Sequence, residues 1–128
     1  MFIHNAPVEI PGVKLKTINE NGVRFYLTED GGKYPSITSV LSAIPEKRAS
    51  IQKWIKRVGQ KEANKISGKA TRRGTVVHKI CEDYLNNGEN YIADAMPDAI
   101  EMFNSMKPIL DERLNNIHTQ EASLFSKY

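Results

Sequence analysis

Three residues of one predicted helix have the types and spacing of a divalent-metal site. Gly74, His78 and Glu82 follow one another at intervals of four, so they share one face of a helix, beside its apolar stripe. An imidazole and a carboxylate one turn apart can bind the same cation. The same pair can instead be an ordinary surface contact between histidine and glutamate. Gly74 favours a site, because glycine inside a helix is costly unless a ligand or another backbone approaches closely.

Two further predicted elements bear on this candidate site. Glu121, a candidate third ligand, lies in the segment Ile117–Phe125, whose partial alternation of apolar and polar residues predicts a β-strand. Residues Pro97–Leu114 form the preceding predicted helix, with proline at its first position. Its apolar positions, predicted to face inward, are Ile100, Phe103, Met106, Leu110 and Leu114.

Positive charge is concentrated just before the candidate site. Ten basic residues lie between Lys47 and Arg73 with Glu62 as the only acid, whereas nine acidic residues lie between Glu82 and Glu121 with two bases. A solvated helix face with no binding role is one explanation for such a run of charge. A basic segment that leads into an acidic site is, however, what a phosphodiester substrate requires. The residues predicted to contact phosphates are Lys65, Lys69, Arg72 and Arg73.

A group of hydroxyl side chains supplies a second candidate phosphate contact. Ser36, Thr38 and Ser39 lie at the predicted start of a short helix, where backbone amides favour anions. Simple N-capping of that helix explains the same residues equally well. Trp54 and Tyr84 could stack on bases, but both lie on apolar stripes, which favours packing in the core.

The elements before the site follow from turn residues and apolar spacing. Val13–Ile18 and Val23–Leu27 flank an Asn-Gly pair and predict a β-hairpin. Helices are predicted over Ser50–Val58, over Gln60–Ile66 after a break at Gly59, and over Lys69–Leu85 after a second break at Ser67-Gly68. The last of these has its core stripe at Ala70, Val77, Ile80, Cys81, Tyr84 and Leu85, and Asn86-Asn87-Gly88 ends it.

Composition narrows the class of protein. The chain has 128 residues, the size of one domain, with 40% hydrophobic and 26% charged residues and a net charge of +3. It has no apolar run long enough to span a membrane and no signal peptide, which predicts a cytoplasmic protein. Cys81, the only cysteine, permits no internal disulfide and is predicted to be a small buried hydrophobe. Glycine-rich phosphate loops and serine nucleophile motifs are absent.

Several of these stretches together resemble a known family of nucleases. They are Tyr34-Pro35-Ser36-Ile37-Thr38-Ser39-Val40-Leu41, Trp54 with Arg57-Val58-Gly59, Arg73-Gly74-Thr75-Val76-Val77-His78, and Glu82-Asp83-Tyr84. The chain from Tyr34 to Tyr128 is similar to RecB-like phage exonucleases of the PD-(D/E)xK superfamily, the group that includes the mitochondrial genome maintenance exonuclease. The Arg-Gly-Thr-x-x-His-x-x-x-Glu run is the most specific part of this resemblance.

The resemblance implies a fold, a cofactor and residue roles. The expected fold is α+β: an N-terminal hairpin region over residues 1–33, then a helical region and the first strand of an incomplete restriction-endonuclease-like α/β core over residues 34–128. The expected cofactor is Mg²⁺ or Mn²⁺, with His78 and Glu121 as ligands. Glu82 and Glu121 are the expected catalytic residues.

The sequence departs from that family at the centre of its chemistry. The family's Gly-x-x-Asp stretch and Asp-x-Lys strand do not follow Glu121, and the metal-bound acid and the water-orienting lysine are therefore missing. The expected function is the N-terminal portion of a divalent-metal-dependent DNA exonuclease that is inactive alone, located in the host cytoplasm if phage-encoded. The alternative is a non-catalytic DNA-binding fragment, or one that pairs with a second polypeptide supplying the missing strands.

Overall fold

A computed structural model describes residues 1–7, 15–124 and 126 of the chain. Their fold is mixed α+β, a three-stranded antiparallel sheet followed by four helices. The described residues divide into two compact units: the helical unit comprises residues 1–7 and 61–120, and the sheet unit comprises residues 15–60, 121–124 and 126. No helix in these ranges is long and apolar enough to cross a membrane.

The sheet confirms the predicted hairpin and adds a strand. Strands β1 (Lys16–Glu20), β2 (Val23–Leu27) and β3 (Lys33–Pro35) pair in the order β1-β2-β3. Asn21 and Gly22, with φ of 50° and 78°, form the tight turn whose positive angles suit an Asn-Gly pair. Residues 13 and 14 of the predicted first strand lie outside the described residues. Strand β3 was not predicted, because three residues ending in proline are too few for an alternating pattern.

Two helices follow the sheet in the same unit. Helix α1 (Ile37–Ser42) begins after Ser36, whose hydroxyl accepts a hydrogen bond from the Ser39 amide, as an N-cap does. Helix α2 (Pro45–Val58) begins at a proline, five residues before the predicted start. Its apolar stripe is only half-buried at Trp54, Ile55 and Val58. Thr28 and Ser36 are the only fully buried residues of the sheet unit's described part.

Helix α3 (Gln60–Leu85) is a single element of 26 residues. The break predicted at Ser67-Gly68 is wrong, because glycine inside a helix costs only about 1 kcal/mol whereas ending the helix there would leave backbone groups on both sides without partners. The helix ends where predicted. Asn87 has φ of 59°, its amide donates to Tyr84 O, and the Gly88 amide donates to Asp83 O at 2.8 Å. These bonds form a Schellman motif.

The core of the helical unit lies between α3 and helix α4 (Pro97–Arg113). Its buried residues are Val77, Ile80, Ala99 and Phe103, with Phe103 completely inaccessible to solvent, and Cys81, Tyr84 and Leu110 pack against them. The predicted positions in these elements are confirmed for most residues. The inward prediction is wrong for Met106, 39% exposed, and Leu114, 42% exposed, and Ala70 of the α3 stripe is also exposed. Burial raises the pKa of the Cys81 thiol, as expected for a thiol packed among apolar groups.

Tyr84 joins the two helices through its ring and its hydroxyl. The ring meets those of Phe2, Tyr91 and Phe103 at centroid distances of 5.2, 4.8 and 5.2 Å, all near edge-to-face. The hydroxyl donates to Asp111 Oδ1 at 2.5 Å, and this bond raises the pKa of Tyr84 and lowers that of Asp111. Lys107 Nζ donates to the other carboxylate oxygen at 2.9 Å.

The N-terminal segment pairs with residues near the other end of the chain. The Ile117 amide donates to Ile3 O at 2.8 Å and the Asn5 amide to Ile117 O at 2.9 Å, which forms an isolated parallel bridge. The strand predicted over residues 117–125 is therefore wrong in its described part: residues 118–124 have no strand partner among the described residues, and Phe125 lies outside them. The restriction-endonuclease-like core thus stays a prediction.

Candidate nucleic-acid interface

Helix α3 carries a stripe of exposed basic residues. The basic stripe consists of Lys61, Lys65, Lys69 and Arg72, whose spacings of four, four and three residues place them on one helix face. At 1.5 Å per residue the stripe is about 17 Å long. It is unbroken because the helix continues through Ser67 and Gly68. The bare face of Gly68 also leaves room for Arg72: a Cβ there would lie 3.6 Å from Arg72 Nη1.

Most of this charge has no counter-charge among the described residues. Lys61, Lys69 and Arg72 make no ion pair with any described residue. Lys65 approaches Glu62, but Nζ and Oε2 are 3.9 Å apart and both side chains are largely exposed, so solvent weakens the attraction. The stripe therefore presents a positive potential that an external polyanion can use.

Two other basic side chains of α3 have acids nearby. Arg73, predicted to contact phosphate, lies one helical turn after Lys69, at the edge of the stripe. Its Nη1 lies 3.8 Å from Asp98 Oδ2 in the first turn of α4. Lys79 projects from the same side of α3 as Lys61, but its Nζ donates to Asp83 Oδ1 at 2.7 Å and lies 3.7 Å from Glu82 Oε2. The hydrogen bond to Asp83 and the nearby carboxylate of Glu82 raise the pKa of Lys79. The role of Arg73 on DNA stays a prediction.

Helix α2 has a smaller basic face of its own. Lys53, Lys56 and Arg57 are spaced as i, i+3 and i+4 and all are exposed, and the only acid of this helix is Glu46 in its first turn. This face belongs to the sheet unit, whereas the basic stripe belongs to the helical unit. Each unit thus contributes positive surface independently.

His78 and Glu82 lie one turn apart on α3, as the sequence predicts. His78 is exposed, and the Glu82 side chain is 36% exposed beside Lys79. A Cβ at Gly74 would meet no described atom within 4 Å. Space for a ligand is therefore present beside Gly74.

The structure gathers no complete set of metal ligands. Across residues 1–7, 15–124 and 126, no group of three or more histidine, cysteine, aspartate or glutamate side chains is arranged to hold a metal ion. Glu121 belongs to the sheet unit and has φ of 53°, whereas His78 and Glu82 belong to the helical unit. His78 and Glu82 alone would leave most of the six coordination positions of Mg²⁺ or Mn²⁺ to water, so they would hold such an ion only weakly.

The predicted hydroxyl cluster is engaged in capping α1. Ser36 is 5% exposed, and its Oγ lies 3.0 Å from Thr38 Oγ1 and 2.8 Å from Ser39 Oγ, besides accepting from the Ser39 amide. These bonds match the N-capping explanation. Phosphate binding by Ser36, Thr38 and Ser39 stays a prediction, and the exposed Thr38 is the most accessible of the three.

A groove in the sheet unit contains residues that sequence reasoning missed. It has a volume of about 750 Å³, and its walls include Arg24, Tyr26, Tyr34, Ser36 and Thr38. The available signal was the alternation in β2, which places Arg24 and Tyr26 on the same side of that strand. Strand β3 was needed to bring Tyr34 beside them, and it was not predicted.

Comparison with known proteins yields no relative. No protein-family model, no curated protein and no solved structure matches the chain. Similarity to RecB-like exonucleases therefore rests on the motifs in residues 34–84 alone.

Proposed function

We propose that this chain binds DNA through the basic stripe of α3 and supplies the DNA-guiding part of a divalent-metal-dependent exonuclease. The observation that carries the proposal is the stripe itself, in which three of four cations lack an ion-pair partner among the described residues. The Arg-Gly-Thr-x-x-His-x-x-x-Glu run that follows it supports the nuclease class by resemblance.

The stripe suits a phosphate backbone better than a small anion. Its cations are spread over about 17 Å of a rigid helix rather than gathered at a point. Each phosphate they neutralise releases a condensed counterion, so the logarithm of affinity falls with the logarithm of salt concentration by about 0.9 per contact on duplex DNA. Contacts by all four residues therefore predict a slope of about −3.6.

Hydrolysis of DNA would need acidic metal ligands in addition to His78 and Glu82. His78 and Glu82 offer two ligands on an open helix face, and Mg²⁺ or Mn²⁺ would supply charge stabilisation of the phosphate and activation of water. The remaining acids would come from another segment or from a second polypeptide. The chain by itself is then a DNA-binding protein that does not cleave, which is also what the alternative, a non-catalytic fragment, requires.

Salt-dependent binding of a fluorescein-labelled duplex, followed by anisotropy, tests the interface. The double variant Lys69→Gln/Arg72→Gln removes two charges from the stripe, and Lys16→Gln/Arg113→Gln removes two exposed charges elsewhere. The first should flatten the salt slope by about 2 and weaken binding at low salt, whereas the control should change the slope by much less. Equal effects of the two variants would show that only net charge matters and would contradict the proposed interface.

Metal dependence separates the nuclease from the non-catalytic alternative. A Mn²⁺ titration followed by NMR should broaden the backbone amide signals of residues 78–82 in the wild type, and His78→Ala should weaken that effect. A gel assay of the labelled duplex should show no cleavage by the chain alone. Absence of any Mn²⁺ effect at His78 would favour the non-catalytic DNA-binding alternative.

A further inference from the structure

The groove in the sheet unit combines a cation, aromatic rings and hydroxyl groups. Its walls are Arg24, Tyr26 and Tyr34 on the sheet, Ser36, Thr38 and neighbouring residues at α1, and Leu15, residues 122–124 and Ser126. Its volume of about 750 Å³ is in the range of small-molecule sites. The hydroxyl contacts already described cap α1, so the chemistry available to a ligand comes chiefly from the arginine and the two tyrosines.

Strand pairing explains why these three side chains share one wall. Tyr26 and Tyr34 are direct cross-strand partners in the β2-β3 register, so their side chains are neighbours on the same face. Arg24 is two residues before Tyr26 and lies on that face, about 7 Å along the strand. The Ser36 amide donates to Arg24 O at 3.0 Å, which holds the start of α1 beside the arginine. The sheet therefore fixes the separation of charge and rings.

The charge of Arg24 is available to a ligand. Its side chain is exposed and makes no ion pair with any described residue. A guanidinium group can hold a phosphate through two parallel hydrogen bonds, and a tyrosine ring can stack on a nucleobase of any sequence. A ligand that contacts both Arg24 and the tyrosine rings must carry an anionic group and a planar ring, separated by about 7 Å, the spacing of two residues along a strand.

We propose that this groove binds one nucleoside monophosphate unit, with its phosphate on Arg24 and its base against Tyr26 and Tyr34. The unit can be a free nucleotide or the unpaired end of a DNA strand, and in the second case the inference rests on the proposed DNA-binding function. The groove is distinct from the basic stripe, which lies in the other unit. The stripe reads only backbone charge, whereas the groove requires an unstacked base.

A ¹H–¹⁵N NMR titration of the full chain with dAMP tests the groove directly. Saturable shifts should appear at the amides of residues 24–38, and inorganic phosphate or deoxyadenosine alone should bind more weakly than dAMP. Arg24→Gln and Tyr26→Leu should each weaken dAMP binding about tenfold, while Tyr26→Phe, which keeps the ring, should stay within about twofold of the wild type. Arg113→Gln serves as the charge-matched control and should have no effect.

Competition then distinguishes the two sources of the ligand. If dAMP displaces a labelled single-stranded oligonucleotide but not a blunt duplex, the unit is the unpaired end of a strand; if dAMP binds without displacing either, the groove takes free nucleotides. No saturation by dAMP up to about 10 mM, or equal binding by the wild type, Arg24→Gln and Tyr26→Leu, would overturn the inference. The variant Lys69→Gln/Arg72→Gln should leave dAMP affinity unchanged, so failure of the groove and failure of the basic stripe are separate results.

Discussion

Asn87 performs two structural tasks whose contributions can be separated by substitution. Its backbone adopts the left-handed conformation that ends α3, with φ of 59°. Its side-chain amide holds the N-terminal segment: Oδ1 accepts from the Phe2 amide at 2.7 Å, and Nδ2 donates to Phe2 O at 2.9 Å. Substitution by glycine keeps the left-handed backbone conformation but removes the hydrogen bonds to Phe2. Substitution by alanine removes those hydrogen bonds and also disfavours the left-handed conformation.

The expected changes follow from these contacts. Two partly buried hydrogen bonds contribute about 0.5 to 1.5 kcal/mol each, so Asn87→Gly should lower the free energy of unfolding by about 1 to 3 kcal/mol. Asn87→Ala should lower it by about 1 kcal/mol more, because a Cβ disfavours the left-handed conformation. Loss of the Phe2 contacts should also loosen the bridge between His4 and Ile117.

Urea unfolding followed by far-ultraviolet circular dichroism measures the global effect, and hydrogen exchange of the Ile117 amide measures the local one. Asn116→Gly is the matched control, because Asn116 has φ of 54° and its side chain makes no hydrogen bond with a described residue. That variant should stay within about 0.5 kcal/mol of the wild type. The reasoning is refuted if Asn87→Gly is as stable as Asn116→Gly, or if Asn87→Ala is no less stable than Asn87→Gly.

Three further substitutions test the core, the open face and the Tyr84 contacts. Phe103→Ala should lower the free energy of unfolding by about 3 to 5 kcal/mol in urea, because it empties a fully buried site; a change below about 1 kcal/mol would contradict the core assignment. Gly74→Ala should raise the melting temperature through a gain of about 0.5 to 1 kcal/mol, since the new methyl group meets nothing, and a decrease would show that the face is covered. The lowered pKa of Asp111 means that its bonds to Tyr84 and Lys107 stabilise the folded state above the unfolded pKa of 3.8 and cease to do so as pH falls through the folded pKa. The stability difference between the wild type and Asp111→Asn should therefore shrink as pH falls from about 5 through the folded-state pKa of Asp111, and a constant difference would argue against a role for this charge.

The sequence predicts the elements whose signals are local. An Asn-Gly pair between apolar runs specifies the hairpin turn, proline specifies the start of α4, and Asn87 with Gly88 specifies the end of α3, because each depends on the backbone preference of one or two residues. The same reasoning wrongly predicts that Ser67-Gly68 ends a helix. A local preference of about 1 kcal/mol does not end a helix whose neighbours on both sides favour it.

The sequence predicts less where structure depends on distant partners. Residues 117–124 alternate as a strand does, but a strand needs a neighbour, and among described residues only the short segment near His4 pairs with Ile117. Likewise, the groove depends on the pairing of Tyr26 with Tyr34, which no periodicity within β2 reveals. The basic run and three of the four residues of the basic stripe follow from the distribution of charge along the sequence, but the contact of Arg73 with Asp98 depends on the packing of α4 against α3.

The bridge between His4 and Ile117 also constrains how the helical unit is made. Ile3 and Asn5 receive their hydrogen-bond partners only after more than a hundred further residues have been synthesised, since Ile3 bonds Asn115, 112 positions away, and both residues bond Ile117. Contacts of such sequence separation close late and slow folding relative to helix formation. During translation Ile3 and Asn5 therefore have no hydrogen-bond partners in this segment until Asn115 and Ile117 have been made, so this part of the helical unit forms after its helices.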